Sequence, residues 1–297
     1  MKAGFVSLVG RPNAGKSTLL NRLIGQKVAI VSDKPQTTRH RIVGVRNSPA
    51  GQMVFIDTPG IHKPMHRMNQ RMVDSALQTL REVDLVVLLV DVNLRAGAGD
   101  QFVLDALRRS KVAAILALNK IDRIQKSRLL PVIERYAKAL PFKAIVPVSA
   151  LTGEGVDRLE REILAALPDG EPLYPQDYLT DQTERTLTAE LIREKVLAHT
   201  RDELPYTTAV VIDQFEEPKE EGALTRIFAS ILVDHASQKP IVVGKGGEMI
   251  KQIGTEARQD LERLLGGRVY LDLHVKVRED WRDDERLLDE LGLQQRR

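Results

Sequence analysis

The fold of this chain is decided by Gly10-Arg11-Pro12-Asn13-Ala14-Gly15-Lys16-Ser17, which matches the phosphate-loop pattern G-x-x-x-x-G-K-[S/T] at every fixed position. The apolar residues 5–9 before it are typical of a buried strand, and residues 18–24 after it have helical spacing. In such a unit, successive backbone N–H groups and the helix N-terminus hold phosphates. We predict that Lys16 lies over the β- and γ-phosphates of a nucleotide and that the Ser17 hydroxyl is a ligand of Mg²⁺. The predicted contacts are Gly10, Arg11, Pro12, Asn13, Ala14, Gly15, Lys16, Ser17 and Thr18.

Apolar strands alternate with helical segments between residues 1 and 167. The predicted strands are residues 5–9, 42–45, 53–56, 85–90, 113–118 and 144–148. This alternation predicts an α/β domain with a mostly parallel sheet and helices on both faces, in which ligands bind at the carboxyl ends of the strands. The second and third strands are expected to form an antiparallel edge pair, because Asn47-Ser48-Pro49-Ala50-Gly51 between them is rich in turn residues.

A second motif, Asp57-Thr58-Pro59-Gly60, follows the third predicted strand, about forty residues after the phosphate loop. We predict that all four residues contact the nucleotide. Asp57 there can hold Mg²⁺ through water, and the Gly60 N–H can approach the γ-phosphate closely. Together with Ser17, this carboxylate predicts a magnesium site.

The next motif, Asn119-Lys120-Ile121-Asp122, predicts which base is bound. The Asp122 carboxylate can accept hydrogen bonds from N1–H and the exocyclic amine of guanine, whereas adenine offers no matching pair of donors. Because a mismatched base would leave buried polar groups unpaired, such a site selects strongly. After the last strand, backbone N–H groups of Ser149-Ala150-Leu151 are expected to contact the guanine oxygen. The order of the motifs predicts GTP rather than ATP, with Asn119, Lys120, Asp122, Ser149, Ala150 and Leu151 around the base.

The polar loop of residues 32–40 has the position of a switch segment. A threonine hydroxyl there can complete Mg²⁺ coordination only while the γ-phosphate is present. We favour Thr38 over Thr37; the alternative is a surface loop without a ligand. Lys16, Thr38 and Gly60 are the residues predicted to act in catalysis.

Two residues bear on the rate of hydrolysis. Ile61 follows Gly60, where Ras-like enzymes place a glutamine that orients water, and isoleucine cannot hydrogen-bond to water. Unaided hydrolysis is therefore expected to be slow. The Asn13 side-chain carbonyl is expected to help bind a monovalent cation such as K⁺ beside the phosphates, where positive charge would stabilise the transition state.

A proline-rich segment, Pro168-Asp169-Gly170-Glu171-Pro172-Leu173-Tyr174-Pro175, ends the α/β pattern. We predict a first domain over residues 1–170, a linker over 171–180 and a second domain over 181–297. The second is expected to have the order helix, strand, strand, helix, Gly-x-x-Gly, helix, strand, which is the order of a type II KH domain. In that α+β fold the glycine turn clamps the backbone of single-stranded RNA.

The predicted clamp is Gly244-Lys245-Gly246-Gly247, with Lys251 and Arg258 just after it. A lone Gly-x-x-Gly is often only a turn between helices, and the surrounding order of elements is what favours RNA. Trp281, the only tryptophan, either stacks on a base or packs the C-terminal tail against the domain.

Charge is divided unevenly along the 297 residues. Residues 1–180 carry 26 basic and 17 acidic residues, whereas residues 181–297 carry 18 and 24. An RNA site in the second half must therefore rest on a local patch. The absence of cysteine excludes disulfides, thiolate metal sites and cysteine nucleophiles. The longest apolar runs are too short to cross a membrane and a strand is expected near residue 5, so we expect a cytoplasmic protein.

The combined motifs closely resemble those of the Era GTPases. The resemblance covers Gly10–Ser17, Gln36-Thr37-Thr38-Arg39-His40-Arg41, the motifs at 57–60, 119–122, 149–151 and 244–247, Leu204-Pro205-Tyr206 and Trp281-Arg282-Asp283-Asp284-Glu285-Arg286. It implies a bacterial ribosome-assembly factor that binds the 3′ end of 16S rRNA through the KH domain and acts on the maturing small (30S) subunit. It also implies that GTP favours RNA binding, that hydrolysis permits release, and that the protein associates peripherally with the inner membrane.

Two other classes of protein are weighed against this one. An ATP-dependent kinase or helicase would leave the motif at 119–122 without a purpose. An RNA-binding scaffold with a vestigial nucleotide site would not need Lys16, Ser17 and Asp57 intact. Nothing in the sequence demands a partner chain, so we expect a monomer.

Overall fold

The computed structural model describes residues 1–34, 36–60, 66–94, 97–218, 220 and 223–293. These residues divide into two compact units. Most of the residues up to Asp181 belong to the first unit, and Gln182–Gly292 belong to the second.

The first unit contains a six-stranded sheet of order β2-β3-β1-β4-β5-β6. Its strands are β1 (Lys2–Gly10), β2 (Ile42–Ser48), β3 (Gly51–Asp57), β4 (Leu85–Asp91), β5 (Ala113–Asn119) and β6 (Ile145–Pro147). All neighbouring strands are parallel except the edge pair β2 and β3, which is antiparallel as predicted. The central strands are continuous apolar runs because helices cover both faces of the sheet.

Helices flank this sheet on both sides, which confirms the predicted architecture. They are α1 (Lys16–Ile24), α2 (Arg67–Thr79), α3 (Ala98–Ser110), α4 (Leu129–Ala139) and α5 (Val156–Ala166). Apolar residues of α1 and α5 share one core with the sheet, and those of α2, α3 and α4 share the other. The parallel strands β1, β4 and β5 therefore end at one edge of the sheet, where Gly10, Asp91 and Asn119 lie.

The segment expected to be a linker is attached along the outer edge of β2. The Val45 N–H donates to the Leu179 carbonyl at 2.9 Å, and the Thr180 hydroxyl donates to the Val43 carbonyl at 2.7 Å. The Val43 N–H in turn donates to Asp181 Oδ1 at 3.0 Å. Residues 179–181 therefore cover the unpaired side of the edge strand, up to the point where the first unit ends.

The second unit contains a three-stranded sheet, β7 (Thr208–Glu216), β8 (Thr225–Val233) and β9 (Val269–Val277), with β8 in the centre. β7 and β8 are antiparallel, and β8 and β9 are parallel. Its helices are α6 (Glu184–His199), α7 (Leu204–Thr207), α8 (Lys239–Val243), α9 (Glu248–Leu265) and α10 (Glu285–Glu290). The predicted order of helix, strand, strand, helix, glycine turn, helix and strand is confirmed.

Trp281 lies in the core of the second unit. Its side chain is completely buried, and its indole N–H donates to the Thr207 carbonyl at 2.9 Å. Of the two alternatives for this residue, the structure shows the packed one. Within the described residues, no helix has both the length and the apolarity needed to cross a lipid bilayer.

Candidate functional site

The phosphate loop lies at the carboxyl edge of the sheet, between the end of β1 and the start of α1. Gly15 has a φ of +94°, and a Cβ added there would lie 2.3 Å from Asn119 Nδ2. Only glycine therefore allows the loop to turn this close to the motif at 119–122. Because α1 begins at Lys16, the free N–H groups of its first turn and its dipole lie beside the loop, as anion binding requires.

Three oxygen-bearing side chains predicted to hold Mg²⁺ lie together beside this loop. The Ser17 hydroxyl donates to Asp57 Oδ2 at 2.6 Å, and Ser17 Oγ lies 2.7 Å from Thr38 Oγ1. Thr38 Oγ1 lies 3.4 Å from the same carboxylate oxygen. The structure thus brings Thr38 of the polar loop to the other two residues, although their separations in the sequence are about twenty residues or more.

The Asp57 carboxylate is fully buried, and its Oδ1 has no hydrogen-bond partner among the described residues. A buried oxygen without a partner is costly unless a ligand completes its coordination. One carboxylate and two hydroxyls form an oxygen donor set of the kind that Mg²⁺ uses when phosphates and water supply its remaining ligands. These residues therefore fit the ion.

Burial shifts the pKa values of two charged groups of the site, Asp57 and Lys16. Burial raises the pKa of Asp57, and the Lys16 ammonium and the hydroxyls of Ser17 and Thr38 oppose this shift. Burial likewise lowers the pKa of Lys16, against the attraction of Asp57. The two groups are therefore poised to gain from bound ions of opposite sign, a cation for the carboxylate and an anionic phosphate for the ammonium.

The motif at 57–60 lies directly against the phosphate loop. The Thr58 hydroxyl donates to the Leu8 carbonyl at 3.1 Å, which holds the motif on β1. A Cβ added at Gly60 would lie 2.8 Å from the backbone N and Cα of Pro12. Any larger residue at position 60 would therefore push the two loops apart.

The base-recognition motifs are joined by hydrogen bonds. Asn119 Nδ2 donates to the Ala14 carbonyl at 2.7 Å, and its Oδ1 accepts from the Ala150 N–H at 2.9 Å. Asn119 thereby connects the phosphate loop to the segment 149–151. The Ser149 hydroxyl donates to Asp122 Oδ1 at 2.6 Å, so one carboxylate oxygen is fixed by the protein. Lys120 forms an ion pair of 2.7 Å with Asp91 at the end of β4.

Arg22 is a residue of the site that the sequence did not indicate. Its guanidinium extends from α1 and donates to the carbonyl of Ala150 at 3.4 Å and to that of Leu151. The helix that begins at the phosphate loop therefore also holds the loop expected to contact the guanine oxygen. In the sequence Arg22 is a basic residue near the C-terminus of a helix, a common position that carries no signal of this role.

Of the two residues expected to affect the rate of hydrolysis, the structure describes only Asn13. Ile61 lies outside the described residues. Asn13 has a φ of +62°, which asparagine tolerates better than most residues do. The cation expected beside Asn13 stays a prediction.

The glycine turn of the second unit lies between α8 and α9. Gly244, Gly246 and Gly247 all have positive φ, and Lys245 and Gly246 are exposed. Lys251 is also exposed, one turn into α9. Because three glycines remove the side chains, another backbone can approach the turn closely, as the RNA clamp requires.

Arg258 lies apart from the rest of the predicted RNA site. It follows Gly247 by eleven residues of α9, a distance of roughly 16 Å along the helix axis. Its guanidinium pairs with Glu262 at 2.9 Å. The contact of Arg258 with RNA stays a prediction.

Comparisons with known families agree with both halves of this description. A family model described as a 50S ribosome-binding GTPase matches residues 5–120, and a KH domain model matches residues 203–282. The GTPase Era of Geobacter metallireducens is 52% identical over 291 residues, which cover 98% of this chain and 97% of the relative. That of Heliobacterium modesticaldum is 47% identical over 296 residues, with 100% and 98% covered.

Two solved structures match nearly the whole chain. One is a variant of Aquifex aeolicus Era bound to GDP·AlF4⁻, and the other is Era in complex with MgGDPNP and nucleotides 1506–1542 of 16S ribosomal RNA. Each has a TM-score of 0.95 and 41% identity, with 99% of both chains covered. The chain belongs to the GTPase Era family.

Proposed function

We propose that this chain is a magnesium-dependent GTP switch whose second unit binds the 3′ end of 16S rRNA during maturation of the 30S subunit. The observation that carries the proposal is the contact of Ser17, Thr38 and Asp57, with a buried carboxylate oxygen left without a partner among the described residues. The contact of Ser17 with Thr38 joins the phosphate loop to the predicted switch segment.

The reaction is the transfer of the γ-phosphoryl group of GTP to water, which gives GDP and inorganic phosphate. Lys16 and the backbone N–H of Gly60 stabilise the negative charge on the γ-phosphate oxygens as the bond to the β-phosphate breaks. When bound, Mg²⁺ neutralises charge on the β- and γ-phosphates. The residues of this chain that would hold it are Ser17, Thr38 and Asp57.

Thr38 gives the site its dependence on nucleotide state. It lies four residues before β2, in a segment without regular structure. With GTP bound, the Thr38 hydroxyl would complete the coordination of Mg²⁺, and after hydrolysis that contact would be lost. The equilibrium of residues 36–41 between held and released therefore depends on the γ-phosphate.

Asp122 selects guanine, and the backbone N–H of Leu151 contacts the guanine oxygen, because the Ala150 N–H already donates to Asn119. Ser149 fixes one oxygen of the Asp122 carboxylate, and Asn119 and Arg22 fix the loop. This preorganisation favours a base with the matching donors and acceptor.

The RNA function is supported by the glycine turn and by the similarity to an Era solved with 16S ribosomal RNA. The decisive measurement is the affinity for a 16S 3′-end oligonucleotide with GDP and with a non-hydrolysable GTP analogue. We expect tighter binding with the analogue. Equal affinity in the two states would contradict the switch.

Two variants separate the parts of this proposal. Gly246→Asp should lose the oligonucleotide while GTP turnover is retained, because it adds a charge and a side chain to the glycine turn alone. Lys16→Ala should lose GTP while the binding of RNA without nucleotide is retained. If Gly246→Asp kept its RNA affinity, the clamp would lie elsewhere.

The K⁺ dependence is a separate part of the proposal. If the Asn13 carbonyl helps to bind K⁺ beside the phosphates, GTP turnover should be faster in potassium than in sodium buffer, and Asn13→Ala should remove the difference. Equal rates in the two salts would exclude it. The expected monomeric state and the peripheral contact with the inner membrane stay predictions from the sequence and the family resemblance.

A further inference from the structure

Positive charge in the first unit lies mainly in two stretches: residues 1–50, which carry nine basic and one acidic residue and contain the phosphate loop, and residues 106–145. Residues 106–145 carry ten basic and two acidic residues, whereas residues 146–180 carry two and seven. Nine of the ten basic side chains are exposed, and Lys120, paired with Asp91, is the exception. The nucleotide site does not account for this charge, since only Lys120 of the ten belongs to it.

The exposed basic residues lie on α3 and α4 and in the segments that flank these two helices. Arg108 joins the ends of these helices, because its guanidinium pairs with Asp105 on α3 at 2.6 Å and donates to the Ala139 carbonyl of α4 at 2.8 Å. Residues 108–111 at the end of α3 and residues 128–143, which contain α4 and the loop to β6, thus form one surface, named the α3–α4 face. Six of its basic side chains form no ion pair or side-chain hydrogen bond within the described residues: Arg109, Lys111, Arg128, Arg135, Lys138 and Lys143.

Unpaired charges at these spacings suit an extended polyanion. Arg128 and Lys138 are ten residues apart on and before α4, which is roughly 15 Å along the axis. A nucleic-acid duplex carries about one charge per 1.7 Å of its axis, so roughly nine phosphates lie within that length. Because the side chains are spread over convex helices, they match a row of phosphates better than a single bound anion.

The apolar side of α4 argues against a lipid surface as the partner. Leu129 and Tyr136 are buried in the core with the sheet, and Val132 and Ile133 pack against the same core. Among the described residues of α4, Leu130 is the one large apolar side chain that is well exposed. Helices that lie on membranes need a broad apolar face to enter the lipid, and that face of α4 is used inside the protein.

We propose that the α3–α4 face binds the phosphate backbone of duplex RNA, as a second RNA contact separate from the glycine turn. The inference goes beyond the proposed function, which places RNA binding in the second unit only. It also explains how a chain whose residues 181–297 are net acidic can hold a long polyanion. Its recognition is of backbone charge and therefore independent of base sequence.

The test uses the full chain with GDP and a 20-base-pair RNA duplex without overhangs, which gives the glycine turn no single strand to clamp. Affinity is measured by fluorescence anisotropy between 50 and 200 mM KCl. The double variant Arg135→Gln/Lys138→Gln should lower the slope of log affinity against log salt by about 1.8, because each phosphate contact contributes about 0.9. The wild-type chain should then lose about twelvefold more affinity over this salt range than the variant does.

The matched control is Arg158→Gln/Arg161→Gln, which removes two exposed charges from α5 on the other face of the sheet. It should keep the wild-type slope. A first variant that fails to bind GDP would be misfolded and is then replaced by a second variant of the α3–α4 face, Arg109→Gln/Lys143→Gln. This second variant should show the same reduced slope.

Three results would overturn the proposal. One is a wild-type slope in both variants of the face. Another is an equal reduction of the slope in the α5 control, which would show that duplex binding depends only on the net charge of the protein. The third is that the variants of the α3–α4 face lose binding to vesicles of phosphatidylcholine and phosphatidylglycerol but keep wild-type duplex binding, which would assign the face to lipid.

Discussion

Replacing Arg22 by methionine tests whether the first helix positions the guanine loop. The substitution keeps the length and apolar stem of the side chain but removes the donors to the carbonyls of Ala150 and Leu151. A hydrogen bond from a charged donor contributes about 1.5–3 kcal/mol where it is shielded from water. Because the Arg22 side chain is exposed, we take roughly 1–1.4 kcal/mol for both bonds together, which corresponds to a five- to tenfold loss of GDP affinity.

The assay is stopped-flow fluorescence of a labelled GDP, and we expect the loss in the dissociation rate. A GDP analogue built on 2-aminopurine lacks the guanine oxygen, so it should bind the wild type and Arg22→Met about equally. The control is Arg158→Met, an exposed arginine of α5 that forms no ion pair within the described part of the chain. The reasoning is refuted if GDP dissociates at the wild-type rate, or if the analogue is weakened as much as GDP, since the second result would indicate damage to the phosphate loop itself.

Three further substitutions test the site and the core. Lys16→Ala should weaken GTP binding about a hundredfold, because a charged hydrogen bond at a shielded site contributes about 3 kcal/mol; titration calorimetry that gives wild-type affinity would remove Lys16 from the site. Asp122→Asn should bind xanthosine triphosphate in preference to GTP, since its amide can donate to the oxygen that replaces the guanine amine; competition between the two nucleotides decides, and an unchanged order of affinity is the contrary result. Trp281→Phe should lower the free energy of unfolding by about 2–3 kcal/mol, because the Thr207 carbonyl loses its donor and a cavity remains; urea unfolding followed by circular dichroism measures this, and an unchanged midpoint would speak against the packed role.

The parts of the molecule that the sequence predicts well are those whose chemistry is local. The phosphate loop, the motifs at 57–60 and 119–122 and the glycine turn are short strings in which each residue type is needed for a backbone conformation or a ligand. Strands such as β4 and β5 were predictable because a strand buried on both faces must be apolar throughout. Their boundaries differ from the prediction by only a few residues, which is the usual error at the ends of elements.

The parts that could not be predicted depend on contacts between distant residues. Arg22 meets Ala150 across 128 positions of the sequence, and nothing local to a helix end indicates such a partner. Trp281 is apolar enough for the core and flat enough for stacking on a base, so its composition allowed both alternatives. The pairing of Arg258 with Glu262 on α9 likewise depends on the helix rather than on the glycine motif, and its contact with RNA stays a prediction.

The attachment of residues 179–181 to β2 has a practical consequence for dividing the chain. An outer strand with free N–H and C=O groups is a template for pairing with other molecules, and native proteins cover it to prevent aggregation. Val43 and Val45 have their main-chain groups occupied by Leu179, Thr180 and Asp181. A fragment truncated at Gly170 would expose this strand and tend to self-associate, so a stable, isolated nucleotide-binding fragment should extend through Asp181.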